Sequence, residues 1–480
     1  MARIVSTSIP YVNANPHIGH ALEYVEADAY VRTLKLQGEE VLFITGTDDN
    51  ALKNVQAAEK EGAGVQQFVD ERAEAFKKMC ADFNINYDVF VRTSGNSDHT
   101  KASQTLWNAC LASEDLYKKA YTGYYCVGCE EFKIEKDLVD KECPLHRGKE
   151  LENVEEENWF FKLTKYQDRL GKLLESQEMR LLPESRKNEM LAFIRGGLQD
   201  FSVSRSVARA KGWGIPVPGD ETQIMYVWFD ALVNYLTGSG YPASLAQWEG
   251  ATERTHFVGK DITRFHAIYW PAILLSAGIP LPTSIFSHGF ITSEGQKMSK
   301  SVGNVIAPGE LLEKYGAEAA RYFLLRHVHP TEDTDITWER LDEWYTANLV
   351  NGLGNVVDRI MKLAEDNLPE PVSRPESDSL VLKYWKDLES FSFNGVLDSI
   401  WREIALLDER ITREEPFKVV KTNPEEGRRM IAQLATQLYV CARLINPFMP
   451  ETSKLIKEAV LANKKPQNLF PRLPAQAGLT

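Results

Sequence analysis

Two stretches of this chain, residues 1–114 and 226–337, alternate short apolar runs with helix-patterned segments, and a stretch of different texture separates them. Such alternation builds a parallel sheet, because parallel neighbours need a long connection and a helix usually supplies it. Ile4-Val5-Ser6-Thr7-Ser8-Ile9 reads as a strand, and Pro10 to Pro16 as a loop. Ile18, Leu22 and Val25 then recur at helical spacing, with Asn15 placed to cap that helix and Pro16 in its first turn. The unit repeats with a strand at Val41–Thr45, a loop at Gly46–Asn50 and a helix over 51–61. After the break, a strand ends at Gly259, a helix covers 268–277 and an apolar strand covers 285–291.

The separating stretch, 115–225, holds clustered cysteines, the charge run Glu155-Glu156-Glu157 and glycine and proline punctuation from Gly212 to Gly219; it reads as an insertion. From 338 to 480 the pattern is helical throughout, apart from a polar, proline-bearing loop over 366–378. The predicted fold is therefore α/β: a Rossmann-like parallel-sheet catalytic domain in two halves around an insertion, followed by an all-α helical bundle. The length of 480 residues suits about three domains.

Charge excludes one class of function. The chain carries 55 Lys and Arg against 68 Asp and Glu, a net charge of −13. A protein that holds nucleic acid by bulk charge is basic, so any RNA contact here must rest on local patches. No stretch approaches the roughly 20 apolar residues of a membrane helix. The N-terminus, MARIVSTSIPYVNANPH, lacks the apolar run of a secretion signal, so a cytoplasmic protein is expected.

Three sets of residues carry chemistry. His17-Ile18-Gly19-His20 sits where a strand and loop pass into a helix. A helix N-terminus suits phosphate, Gly19 lets a planar group approach the backbone, and the imidazoles can donate to phosphate oxygens. Alone, the tetrapeptide reads equally well as two histidines at a solvated helix start. Lys297-Met298-Ser299-Lys300-Ser301, between Gly295 and Gly303, can act as a mobile phosphate clamp or be a solvated basic turn. Third, Cys126 and Cys129, thirteen intervening residues, then Cys143 and His146 form two knuckle pairs. Four soft ligands at that spacing fit one tetrahedral, structural zinc ion. The other cysteines, Cys80, Cys110 and Cys441, are scattered and read as core thiols.

Together, HIGH near the N-terminus and KMSKS late in the same α/β region mark class I aminoacyl-tRNA synthetases. The resemblance narrows further. Pro10-Tyr11-Val12-Asn13, Gly46-Thr47-Asp48, Tyr226-Val227-Trp228-Phe229-Asp230-Ala231 and Val258 to His266 resemble the corresponding segments of methionyl-tRNA synthetases, in the same order. That family activates methionine with ATP, releasing pyrophosphate, and passes the methionyl group to tRNA(Met), initiator and elongator alike.

The resemblance implies roles by position. His17, His20, Lys297 and Lys300 would be catalytic, with Gly19 and Ser299 joining them in ATP binding. Asp48 would hold the methionine ammonium, and Ile9, Tyr11, Trp228, Tyr235, Ile262, His266 and Trp270 would surround the side chain, aromatic walls suiting a polarisable thioether. Magnesium would accompany ATP, and the zinc knuckle would shape a lid over the tRNA acceptor end. Asn348–Arg359 resembles the anticodon helix, where Asn355 and Arg359, one turn apart, would read bases. Pro416-Phe417 stands where the family commonly has Pro-Trp, so Phe417 would stack on an anticodon base. A second departure is Asp48-Asp49-Asn50-Ala51, where a His-Gly often follows the acidic pair.

Two other readings compete. A class I synthetase for leucine, valine or cysteine is disfavoured by the Trp228 and Ile262–His266 segments, and those for leucine and valine by the lack of a large editing insertion. A synthetase-derived RNA-binding protein would have no use for both signature motifs. The chain ends at Thr480, soon after the last helices, without an appended dimerising domain, so a monomer is expected.

Overall fold

A computed structural model of the chain describes residues 2–126, 131–133, 138–144, 147–148, 151–293, 295–297, 306–375 and 379–473. They form two compact units, 1–16 with 39–81 and 86–288, and 17–38 with 82–85 and 289–480.

The first unit begins with β1 (Arg3–Thr7), β2 (Val41–Thr47) and β3 (Val89–Arg92), and holds the helices α2 (Leu52–Glu61), α3 (Val65–Asp82, ending at the unit boundary) and α4 (Ser97–Ala112). The 115–225 span adds β4 (Leu116–Cys126), β5 (Glu131–Lys133), β6 (Glu152–Phe161), α5 (Gln167–Glu175), β7 (Arg180–Leu182) and α6 (Glu184–Arg195). It continues through β8 (Phe201–Ser202), β9 (Ser204–Ser206), β10 (Pro216–Val217) and β11 (Asp220–Met225). Then come α7 (Val227–Leu232), α8 (Asn234–Gly238), α9 (Ala246–Gly250), β12 (Arg254–Gly259), α10 (Trp270–Ala277) and β13 (Ser284–His288).

The main sheet has the order β3-β2-β1-β12-β13-β7, and every pair in it is parallel. Continuous apolar runs such as Val41–Ile44 suit strands covered on both faces. Gly46 meets a tighter demand: a Cβ there would lie 2.0 Å from the Val91 carbonyl oxygen. The sheet also takes β7 from inside the 115–225 span, so part of that span belongs to the main sheet. The remainder forms an antiparallel sheet, β5-β4-β6-β8, and a smaller one, β10-β11-β9.

The second unit holds α1 (Ile18–Leu36), β14 (Ile291–Ser293), β15 (Gln296–Lys297), α11 (Pro308–Tyr322), β16 (Thr334–Asp335), α12 (Trp338–Trp344), α13 (Asn355–Asn367), α14 (Ser379–Lys386), α15 (Phe393–Glu414), α16 (Pro416–Thr422), α17 (Pro424–Leu444) and α18 (Pro450–Ala462). Helix α17 is central, packing against α13, α15, α16 and α18. Its buried Ile431, Leu434, Ala435, Leu438, Cys441 and Ala442 follow the helical period. A buried ion pair staples this unit: Arg321 lies 2.7 Å from Asp28 and donates to the carbonyls of Phe83, Pro447 and Phe448, both side chains being fully buried.

Two local expectations are corrected. Asn15 does not cap α1; His17 occupies the cap, Pro16 precedes it, and the Asn15 side chain accepts from Arg72 instead. The apolar run 285–291 is not one strand. It breaks at Gly289-Phe290 between β13 and β14, and a Cβ on Gly289 would lie 2.3 Å from the Glu332 carbonyl oxygen.

Candidate active site

Strand order locates the site. From β1 the chain moves outward through β2 to β3 on one side, while β12 and β13 extend the sheet on the other. The order reverses between β1 and β12, and ligands of open α/β sheets bind beyond the carboxyl ends of the strands at such a point. Ser8 and Ile9 follow β1, Asp48 follows β2, and Ile262 and His266 follow β12.

A small cavity, about 10 Å3, lies there, lined by Ser8, Ile9, Trp228, Ala231, Leu232, Asn234, Tyr235, Ile262 and His266. That is room for about one water, so a thioether side chain needs the walls to shift. Five of the eight residues expected to hold an amino acid line this cavity. Tyr11 sits behind Trp228, ring centroids 6.4 Å apart, and its backbone bridges to Asp48. Trp270 does not reach the cavity; it is fully buried, with its ring centroid 6.0 Å from that of Tyr235. Ser8, Ala231, Leu232 and Asn234 line the wall without having been expected. Ala231 and Leu232 lie one turn beyond Trp228 on α7, and that spacing alone hinted at two of these neighbours.

The wall is organised by ring contacts and one hydrogen-bond pair. Trp228 lies flat on Phe265, centroids 3.8 Å apart and planes within 2°. His266 Nδ1–H donates to the Ile262 carbonyl at 3.0 Å, so Nε2 must accept, and the Tyr235 hydroxyl donates to it at 2.7 Å. Burial holds the His266 imidazole down at about 4, so it is neutral at pH 7. His256 stacks on Tyr235 at 4.0 Å and contacts the Ser6 hydroxyl through Nδ1 at 2.6 Å; burial, with His266 and Arg254 nearby, pushes its pKa well below normal. The turn carrying Phe265 to Tyr269 is a wide π turn. Its wide bond runs from the Trp270 N–H to the Phe265 carbonyl, and Pro271, which has no N–H to donate, follows in the first turn of α10.

Asp48 is buried and held on three sides. Its N–H donates to the Pro10 carbonyl at 2.9 Å, its carbonyl accepts from Asn54, and its Oδ1 accepts from the Asn50 N–H at 3.1 Å. Asp49 is turned elsewhere, into Arg92 at 2.8 Å and Ser94 at 2.9 Å. Burial raises the Asp49 carboxyl, and Arg92 offsets part of that.

In the second unit, His17 and His20 close the start of α1. His17 Nδ1 accepts from the Gly19 N–H at 3.1 Å, His20 Nδ1 accepts from the His17 N–H at 3.2 Å, and the rings stack at 3.7 Å. Two of the N–H groups at this chain turn, those of His17 and Gly19, are thus engaged by the imidazoles themselves. Both rings accept through Nδ1, so each keeps its proton on Nε2. Lys297 lies in β15; Ser299 and Lys300 fall outside the described residues.

The knuckle is described in part. Cys126 ends β4 and Cys143 follows a turn, both buried and neither in a disulfide, while Cys129 and His146 fall outside the described residues. Two buried cysteines fit half of a zinc site. Among the described residues no three potential ligands cluster. On the bundle, Asn355 is exposed on α13, Arg359 pairs with Asp408, and Phe417 is exposed on α16 beside Lys418. Both helices pack on α17. Among the described residues no helix is long and apolar enough to cross a membrane.

Comparison with known proteins agrees with this geometry. The family described as "tRNA synthetases class I (M)" matches residues 3–155 and 135–361. The methionine–tRNA ligase of Brucella suis is 39% identical over 96% of this chain and 92% of its own length. That of Mesorhizobium japonicum is 36% identical over 99% of this chain and 98% of its own. The solved structure of Mycobacterium tuberculosis methionyl-tRNA synthetase in complex with methionyl-adenylate superposes with a TM-score of 0.87 at 35% identity, covering 99% of each chain. The chain belongs to the methionine class of the class I tRNA synthetases.

Proposed function

We propose that the chain is a methionine–tRNA ligase, which joins methionine to ATP as methionyl-adenylate, releases pyrophosphate, and transfers the methionyl group to tRNA(Met). The observation that carries this reading is the cavity at the β1/β12 reversal, walled by Ile9, Trp228, Tyr235, Ile262 and His266 with Asp48 at the next strand end.

The reacting methionine carboxylate is already ionised, so attack on the α-phosphorus needs alignment and charge stabilisation rather than a general base. Asp48 takes the ammonium in a charge-assisted contact. The neutral Tyr235–His266 pair presents polar edges to the sulfur while the ring walls exclude water. His17 and His20 offer Nε2–H donors to the phosphates, and Lys297 and Lys300 neutralise charge on the pyrophosphate side, with magnesium accompanying ATP. Cys126, Cys129, Cys143 and His146 hold one zinc ion that shapes the insertion around the acceptor end. Asn355, Arg359 and Phe417 read the CAU anticodon. The chain works as a cytoplasmic monomer.

Pyrophosphate exchange measured with each of the twenty amino acids tests the central claim. Methionine is expected to support the fastest exchange at equal concentration; a different winner overturns the assignment.

A further inference from the structure

The loop after β2 is tied to the opposite wall of the site through one buried carboxylate. Asp230, on α7 two residues beyond Trp228, is 1% exposed. Its Oδ2 accepts from the Asn50 side-chain amide at 2.6 Å, and its Oδ1 accepts from His99 Nε2 on α4 at 2.7 Å. His99 Nδ1 in turn lies 2.9 Å from the Thr237 hydroxyl on α8, two residues beyond Tyr235. The second hydrogen of the Asn50 amide goes to the Thr93 carbonyl at 3.2 Å. Both donors of one amide are therefore used, and they fix the Asn50 backbone as well as its side chain.

That backbone matters because the Asn50 N–H is the donor to Asp48 Oδ1. A short polar side chain that caps the N–H two residues on holds its carboxylate in one orientation. Here the capped residue is itself anchored on a buried charge. We propose that Asn50 is a positioning residue for amino-acid binding: anchored on Asp230, it holds the N–H that orients the Asp48 carboxylate towards the ammonium group. The inference rests on Asp48 as the ammonium partner. It assigns to Asn50 and Asp230 a role in affinity for the amino acid and none in affinity for ATP.

The test compares Asn50→Ala, Asn50→Ser, Asp230→Asn, Asn50→Ala/Asp230→Asn and Asp48→Asn with the native chain in pyrophosphate exchange. Losing the anchor loosens one hydrogen bond to a charged acceptor, so Asn50→Ala raises the KM for methionine roughly three- to tenfold. Its kcat and its KM for ATP stay near native values, while its thermal midpoint falls because the buried Asp230 Oδ2 loses its donor. Asn50→Ser keeps one donor and falls between. The double variant binds methionine no worse than the weaker single variant, because both act through one contact. An unchanged methionine KM in Asn50→Ala, or equal rises in both KM values, overturns the proposal. Asp48→Asn separates the two levels of the argument. If it leaves the methionine KM unchanged, the ammonium assignment fails; if it raises that KM while Asn50→Ala does not, only the positioning role fails.

Discussion

Replacing Tyr235 with Phe isolates one hydrogen bond in the wall of the site. The ring is 1% exposed and stacks on His256, and phenylalanine preserves that packing without opening a cavity. What disappears is the O–H donated to His266 Nε2 at 2.7 Å. His266 cannot compensate by moving its proton, because Nδ1–H is committed to the Ile262 carbonyl. A buried acceptor left without a donor costs about 1–3 kcal/mol, and the variant should lose that much stability at pH 7. The pH dependence sharpens the test. In the native fold His266 titrates at about 4, against 6.5 in an unfolded chain. Between those values the unfolded state binds the proton and the folded state does not, so stability falls as pH drops from 6.5 towards 4, by up to about 3 kcal/mol for this group. The tyrosine O–H favours the neutral imidazole, so its removal raises the folded value and makes the acid loss shallower. The gap between native and variant chains should therefore be widest at pH 7 and shrink by pH 5. Urea unfolding followed by tryptophan fluorescence at both pH values measures it. A gap below about 0.5 kcal/mol at pH 7, set against that buried-acceptor cost, or one that widens at pH 5, refutes the assignment of donor and acceptor.

Four further outcomes follow from the same reasoning. Asp28→Asn strands the fully buried Arg321 without its counter-charge and should destabilise the second unit by about 3–5 kcal/mol, read as a lowered unfolding midpoint. Lys300→Ala should slow adenylate formation by a transition-state loss of about 2–4 kcal/mol, by analogy with removal of an oxyanion donor; native exchange rates would exclude the clamp. Cys129→Ser should lower zinc content from one ion per chain and impair tRNA charging more than exchange, as elemental analysis and the two assays would report. Arg359→Ala should weaken tRNA charging by about 1–3 kcal/mol, by analogy with base readout, while exchange stays intact; parallel loss of both activities would place Arg359 in the fold through Asp408 rather than at the anticodon.

Much of this protein is legible in its sequence. The alternation of apolar runs and helical patterns announced the parallel sheet, because strands buried on both faces must be continuously apolar and their connections must be long. The signature tetrapeptide and pentapeptide announced the family by resemblance, because each is a contiguous run that the sequence shows directly. Where local patterns misled, a distant partner had intervened. Asn15 looks like a cap, yet Arg72 claims its oxygen and the His17 ring closes α1. The run 285–291 looks like one strand, yet the backbone of Glu332 crowds Gly289 and splits it. The tripeptide Arg180–Leu182 is too short to signal a strand within a stretch that reads as an insertion, yet it completes the main sheet beside β13.

Sequence by itself determined the periodicities, the nucleotide motifs and the kind of side chain at each position, since these depend on neighbours a few residues away. Tertiary structure alone decided the strand order that puts the reversal between β1 and β12, and with it the four wall residues not expected at the site. It also decided which nitrogen of His266 carries the proton and that Asn50 reaches Asp230, 180 positions along the chain. Such facts depend on groups brought together by burial and hydrogen bonding across the fold, and a linear pattern does not record which distant donor meets which acceptor.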